Sequence, residues 1–423
     1  MRYVIVGASY AAVGAVEEIR SIDSDGEILI VSDEPYRIYA RPLISYYLEN
    51  RVAEKNMYFR PDEFYEKNRL KFVSGKKVVK VDPDGQKITL DDKSVIDYDR
   101  LLICTGGKPF IPPLKGIDSK NVFSFVKWDD AKKIKKLADG AKEVLIVGGG
   151  LIGLKAAEGL GGLGLKVTII EKEASVLPLV LDETAGKILR EHLKDNGVDM
   201  VTGNVASEIL ADESGCVTGV ALDNGDSHKC GLLIIAIGVR PNIDLIEGTA
   251  IEVNRGIVVD RRMRTNVDNI YSAGDVVEAW DILSGSNSVI AIAPLAFEQG
   301  KVAGCNMAGG KSAYTGGIAM NSTDVFNMSL MTMGLTKNLD ESYEIKSYKD
   351  GEVYKKLVFK DDMLKGVILV GDVDYGGALT QLIRNQADIK DIKDDLANKV
   401  LGKAGLASIL PTILSKTPVP TFH

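Results

Sequence analysis

A β-branched run that breaks at a glycine-containing turn and continues as a helix occurs twice in this chain, and no other feature constrains its fold as much. The first copy is Tyr3-Val4-Ile5-Val6, then Gly7-Ala8-Ser9-Tyr10-Ala11-Ala12, then Val13, Val16 and Ile19 at helical spacing beside Glu17 and Glu18. A second strand, Ile28 to Val31, leads into the acidic pair Asp33 and Glu34, which completes a βαβ unit. The pattern returns as Val144-Leu145-Ile146-Val147, Gly148-Gly149-Gly150-Leu151-Ile152-Gly153, a helix, and Val167 to Ile170 ending at Glu171. Each copy goes on to a turn signal, Asp82-Pro83-Asp84-Gly85 or Asn224-Gly225, and closes on an apolar strand ending in glycine, Leu101 to Gly106 or Leu232 to Gly238. The expectation is an α/β protein with two Rossmann-like dinucleotide-binding modules in tandem.

In the GxGxxG pattern the first glycine allows the tight turn, the second admits the pyrophosphate, and the third lets helix pack on strand. The phosphates then meet the free N–H groups and positive dipole of the helix N-terminus. Gly148, Gly150 and Gly153 match in full, and Glu171 lies 18 residues beyond Gly153, where an acid binds ribose hydroxyls. A 2′-phosphate would be repelled there, so NADH is expected over NADPH, although Lys172 alongside works the other way. The first copy departs, with Ser9 at the second glycine position and Ala12 at the third. Asp33 is the first choice for its ribose contact and Glu34 the alternative; both could instead be solvated turn residues before Pro35.

With 52 basic against 59 acidic residues, the net charge of −7 gives no general attraction to nucleic acid or anionic lipid. The longest apolar stretches, such as Val144 to Leu154, fall short of the roughly 20 residues a membrane span needs. Met1 leads directly into the first strand, which predicts a cytoplasmic protein. Cys104, Cys216, Cys230 and Cys305 form no CxxC pair, so neither a disulfide framework nor a metal site is expected.

Taken in order, Val6-Gly7-Ala8-Ser9, Arg41-Pro42-Leu43-Ile44-Ser45, Cys104-Thr105-Gly106-Gly107, the second GxGxxG, Ala236-Ile237-Gly238-Val239-Arg240-Pro241-Asn242 and Tyr271-Ser272-Ala273-Gly274-Asp275 resemble the FAD-dependent pyridine nucleotide-disulfide oxidoreductases over residues 1 to 385. The resemblance implies FAD in the first module, over residues 1–115 and 243–311, and NAD(P)H in an inserted second module, 116–242. It also implies a smaller α+β interface domain at 312–385, followed by an extension at 386–423. The implied FAD contacts are Gly7, Ser9, Ala11, Ala12, Asp33, Glu34, Arg41, Pro42, Thr105, Gly106, Gly274 and Asp275, the last accepting from the flavin ribitol. Gly148, Gly150, Gly153, Glu171 and Gly238 are the implied nucleotide contacts. From Asp33 through Pro42 the chain looks like the NADH-rubredoxin reductases and the flavin portion of assimilatory nitrite reductases. It also looks like the FAD-NAD oxidoreductases that accompany carbon monoxide dehydrogenase.

Two departures bear on the chemistry. Disulfide reductases of this superfamily carry a CxxxxC pair in the first module, and the peroxidase and coenzyme A disulfide reductase branch a single cysteine there; here no cysteine precedes Cys104. Relatives also have a glutamate after Gly-Leu on the second-module helix, paired with a first-module lysine near flavin N5. Those positions hold Lys155 and Tyr46. Lys155 is therefore expected to supply a positive charge to the flavin, with a solvent-directed lysine as the alternative. The expected activity is hydride transfer from NADH to FAD and onward delivery of electrons, without a redox-active cysteine, to a ferredoxin-like or rubredoxin-like acceptor. A direct NADH oxidase and a non-enzymatic NADH-binding flavoprotein are the rivals. Homodimer formation is compatible with either. Ile389, Ile392, Leu396, Val400 and Leu401 recur at helical spacing before Gly402, and Leu406 to Leu414 is nearly uncharged. This extension is expected to dock the acceptor, the alternative being that it packs on its own interface domain.

Overall fold

The apolar runs read above become the central strands of two parallel sheets. In the computed structural model, which describes residues 1–397, one sheet has the order Ile270–Ser272, Arg100–Ile103, Arg2–Val6, Glu27–Val31, Leu70–Val73. The other runs Val198–Thr202, Lys166–Glu171, Glu143–Val147, Leu232–Ile235, Val122–Phe123. Strands buried on both faces have no reason to alternate, and Val4, Ile5, Ile28, Ile30, Val144, Ile146, Leu233 and Ile234 are all buried. Both turn signals form hairpins, joining Val78–Asp82 to Lys87–Leu90 and Val217–Leu222 to Ser227–Lys229. A third sheet is antiparallel, ordered Met320–Val325, Met328–Gly334, Met363–Val370, Val353–Lys360, Glu344–Asp350, with helix Gly376–Arg384 against it.

The contacts divide the chain into two units. The first comprises Met1–Leu43, Val52–Lys108 and Val239–Gly317. In it helix Tyr10–Ile22 meets helix Ala293–Met307 at backbone distance. A Cβ on Gly14, Gly300 or Gly304 would lie 2.3 Å from the Phe297 carbonyl oxygen, 2.1 Å from that of Ala11, or 2.4 Å from that of Ala15. Only glycine fits at these three positions.

The second unit comprises Ile44–Arg51, Pro109–Gly238 and the chain from Ile318 on, so the second glycine-turn module and the antiparallel sheet belong together. Helix Ile44–Leu48 is part of it because Leu48 packs on Gly159, the Tyr47 and Trp128 rings meet edge-on at 5.9 Å, and Lys135 donates to the Tyr47 carbonyl at 2.8 Å. The start of the extension also lies in this unit. Ile389 and Leu396 are buried, Lys393 bonds Glu344 at 2.5 Å and Asp362 at 3.3 Å, and Lys355 donates to the Leu396 carbonyl. As far as Ala397, then, the extension packs on its own domain. The rest of the extension expected to dock an acceptor, including the nearly uncharged stretch Leu406 to Leu414, lies outside the described residues.

Candidate functional site

In the first unit the glycine turn is set by a close approach. Gly7 has φ +112°, and a Cβ there would sit 2.2 Å from the Cys104 carbonyl oxygen. Ser9 follows as the helix N-cap in extended backbone, its hydroxyl making no capping bond, so the first-turn N–H groups are left for an anion. Ala11 and Ala12 are buried in the helix that this turn opens. On the neighbouring strand ends, the Thr105 hydroxyl donates to the Asn242 carbonyl at 2.7 Å, and Gly106 has φ +67° with open space where a side chain would be. Gly274, φ +89°, donates its N–H to Oε1 of buried Gln299 at 2.8 Å, which aims the next residue, Asp275.

The Asp275 carboxylate makes no hydrogen bond among the described residues. Burial pushes its pKa up and the Arg41 cation draws it part of the way back. Arg41 and Pro42 stand in the turn Arg41–Leu43, and Arg41 pairs with Glu34, which also accepts from the Tyr39 hydroxyl at 2.7 Å. Glu34 is buried and Asp33 exposed, so of the two expected ribose ligands the structure places Glu34 beside Arg41 in the interior. An incompletely partnered carboxylate, open glycine backbone and a free helix N-terminus, gathered at the carboxyl ends of parallel strands, fit a flavin dinucleotide.

In the second unit Gly148 has φ +113° and a Cβ would lie 2.3 Å from the Ala236 carbonyl oxygen; one on Gly153 would lie 2.0 Å from that of Gly148. Gly150 and Gly238 face open space, as a backbone that receives a ligand must. Glu171 is buried, accepting from Gly149 N–H at 2.6 Å and Glu173 N–H at 2.9 Å, while Lys172 is exposed beside Glu173.

Lys155 differs from both expectations of it. Its side chain is only 17% exposed and its ammonium pairs with Glu158 one helical turn on, so it is neither a bare cation nor a solvated one. The ammonium also donates to the Asp324 carbonyl at 3.1 Å and lies 4.7 Å from the centre of the Tyr46 ring. Positions 155 and 46, where the resemblance implies an acid and a lysine, thus touch as cation and ring. Glu158 went unnoticed in the sequence because an acid three residues past a lysine is commonplace on exposed helix surfaces. Gln299 left no signal at all.

The thiols of Cys104, Cys230 and Cys305 are poorly suited to exchange, which requires thiolate. Burial pushes Cys104 and Cys230 up to about 12 and raises Cys305 as well. Among the described residues no cluster of His, Cys, Asp and Glu could hold a metal ion, and no helix is long and apolar enough to cross a membrane.

Two glycine turns, each on a parallel sheet with its own acid, define a protein built for two dinucleotides. Residues 1–300 match the family model of the pyridine nucleotide-disulphide oxidoreductases, and the chain belongs to that family, whose members use FAD and NAD(P)H. Within it, residues 320–387 match the rubredoxin NAD+ reductase C-terminal domain. The chain is 32% identical to nitrite reductase [NAD(P)H] of Bacillus subtilis over 92% of its own length and 48% of that protein. It is 30% identical to the epsilon subunit of NADH-dependent phenylglyoxylate dehydrogenase of Aromatoleum evansii over 93% of each chain. The NADH:rubredoxin oxidoreductase structure from Clostridium acetobutylicum superposes with a TM-score of 0.78 at 26% identity, covering 94% of this chain and 99% of that one. The chain spans about half the length of the first curated relatives it matches.

Proposed function

We propose that the protein takes hydride from NADH onto FAD and passes electrons singly to an iron-sulfur or rubredoxin-type protein, without a cysteine. The observation that carries this reading is the C-terminal region 320–387, matched by the reductase C-terminal domain, in a chain with no cysteine before Cys104, whose thiol, like that of Cys230, is held protonated by burial. FAD supplies the hydride-accepting and one-electron chemistry, and this chain's residues bind and orient it. Asp275 and Glu34 would accept from its hydroxyls, Arg41 would neutralise its phosphates, and the backbone at Ser9, Gly106 and Gly274 would line it. Gly148, Gly150, Gly153 and Gly238 would receive the nicotinamide nucleotide, with Glu171 at its ribose. Lys155, held by Glu158, is proposed to act on the flavin as a charge-compensated group. A ferredoxin-like partner, or a place in a larger redox complex, accords with the subunit names among the relatives.

The test is anaerobic. NADH should bleach the bound flavin, and an added rubredoxin- or ferredoxin-type protein should restore its colour at a rate set by that protein's concentration. Restoration by oxygen alone, at high turnover, with no response to iron proteins, would establish the oxidase instead.

A further inference from the structure

The nucleotide turn of the second unit is held from behind by the C-terminal sheet. Gly149, inside the GxGxxG turn, gives its N–H to Glu171 at 2.6 Å and takes the Leu177 N–H on its carbonyl at 3.0 Å. Leu177 is buried and has φ +47°, a left-handed conformation that a branched apolar residue adopts only under constraint from its surroundings. The constraint lies on its C-terminal side. The Thr336 hydroxyl donates to the Val180 carbonyl at 2.9 Å, and Lys337 donates to that of Pro178. Two residues beyond Val180, Asp182 caps the helix Glu183–Asp195 through Ala185 N–H at 3.0 Å. It also accepts from the Tyr354 hydroxyl at 2.7 Å and lies 3.3 Å from buried Lys356, whose ammonium donates to the Thr336 carbonyl at 3.1 Å. Four residues of the C-terminal sheet region therefore fix a loop whose one hydrogen bond to the glycine turn, among the described residues, runs through the strained residue.

We infer that Tyr354, Lys356 and Thr336 are positioning residues for the nicotinamide nucleotide: they hold the Leu177–Asp182 loop, and through Leu177 the Gly149 peptide, in the conformation that receives the pyrophosphate. This rests on the proposal that NADH binds at Gly148–Gly153. On this view the C-terminal sheet sets nucleotide affinity without touching the nucleotide, and whatever strains that sheet alters NADH binding.

Rapid-mixing reduction of the FAD-loaded protein by NADH tests it, because the dependence of rate on NADH separates half-saturation from the limiting rate and needs no electron acceptor. Tyr354→Phe and Thr336→Val should each raise the half-saturating NADH concentration, and Lys356→Met should raise it about tenfold, the weight of one charge-assisted hydrogen bond. FAD content and limiting rate should hold, and Lys356→Arg should recover most of the loss. Unchanged half-saturation in Tyr354→Phe and Thr336→Val, or a loss confined to FAD content or limiting rate, overturns the inference. Should Lys356→Met fail to fold, those two milder variants decide. If the wild-type flavin is not reduced by NADH at all, the failure belongs to the proposed function beneath it.

Discussion

Asp275 shows at the scale of one residue how a binding group weakens an empty site. Its carboxyl is raised in the folded protein, so between the ordinary carboxylate range and that raised value the folded chain holds more proton than the unfolded one. Stability contributed there is lost as pH rises, and ionised Asp275 is a cost near neutrality. FAD-free Asp275→Asn should therefore melt higher than the FAD-free wild type at pH 7 and equal it near pH 3, while retaining FAD roughly 10- to 100-fold less tightly. Matching melting curves at both pH values would remove the burial argument. Lys155 and Glu158 present the opposite case, since each offsets the other's desolvation. Among the described residues, Lys155→Met leaves the buried Glu158 carboxylate with the Phe326 N–H at 2.9 Å as its remaining partner, and about 3 kcal/mol of stability should go with the lost pair. The double variant Lys155→Met/Glu158→Gln should recover much of that in denaturant melts, and strict additivity would show the pair to be uncoupled. For the thiols, alanine at Cys104, Cys216, Cys230 and Cys305 together should leave NADH-driven dye reduction largely intact. Abolished flavin reduction with FAD still bound would restore a thiol mechanism.

Among elements, the helix pair Tyr10–Ile22 and Ala293–Met307 bears most directly on the flavin site, because one helix carries Ser9 at its start and the other Gln299. Gly300→Ala drives a methyl group into the Ala11 carbonyl and should cost about 1–3 kcal/mol, with loss of FAD before loss of the second unit's fold. A normal FAD content and melting temperature would mean the helices can separate freely. This contact also marks where the sequence stops being readable. The two modules were legible because strand, glycine turn, helix and acid repeat in a local order, and the hairpins because Pro83-Asp84-Gly85 and Asn224-Gly225 are turn chemistry. Gly300 and Gly304 stand in a small-xxx-small spacing that signals close helix approach without naming the partner. The loop from Leu177 to Asp182 was opaque for a related reason: its meaning lies in Thr336, Tyr354 and Lys356, far along the chain. Likewise Ile44–Leu48 read as a continuation of Arg41-Pro42, yet its apolar side chains belong to Trp128 and Gly159.

At the scale of the whole molecule, the extension is part of the C-terminal fold at least to Leu396. A chain ending before Asp388 uncovers Ile389 and Leu396's burial sites and leaves Lys355 without the Leu396 carbonyl, so its second unit should melt earlier. An unchanged melting temperature would show that these contacts add nothing. The interrupted first unit has a further consequence, for the order in which the protein becomes able to bind anything. Synthesis passes Gly238, where the second glycine-turn segment ends, while helix Ala293–Met307 is still unmade, and that helix supplies the backbone surface on which Gly14, Ala11 and Ala15 close. A ribosome-held chain should thus carry both glycine turns before any flavin cradle exists, the second still without Thr336, Tyr354 and Lys356 to hold it, and for that interval helix Tyr10–Ile22 lacks its partner helix. Free flavin cannot hasten the closure until the helix emerges, so the nascent protein's exposure to aggregation is governed by chain elongation rather than by the supply of its cofactor.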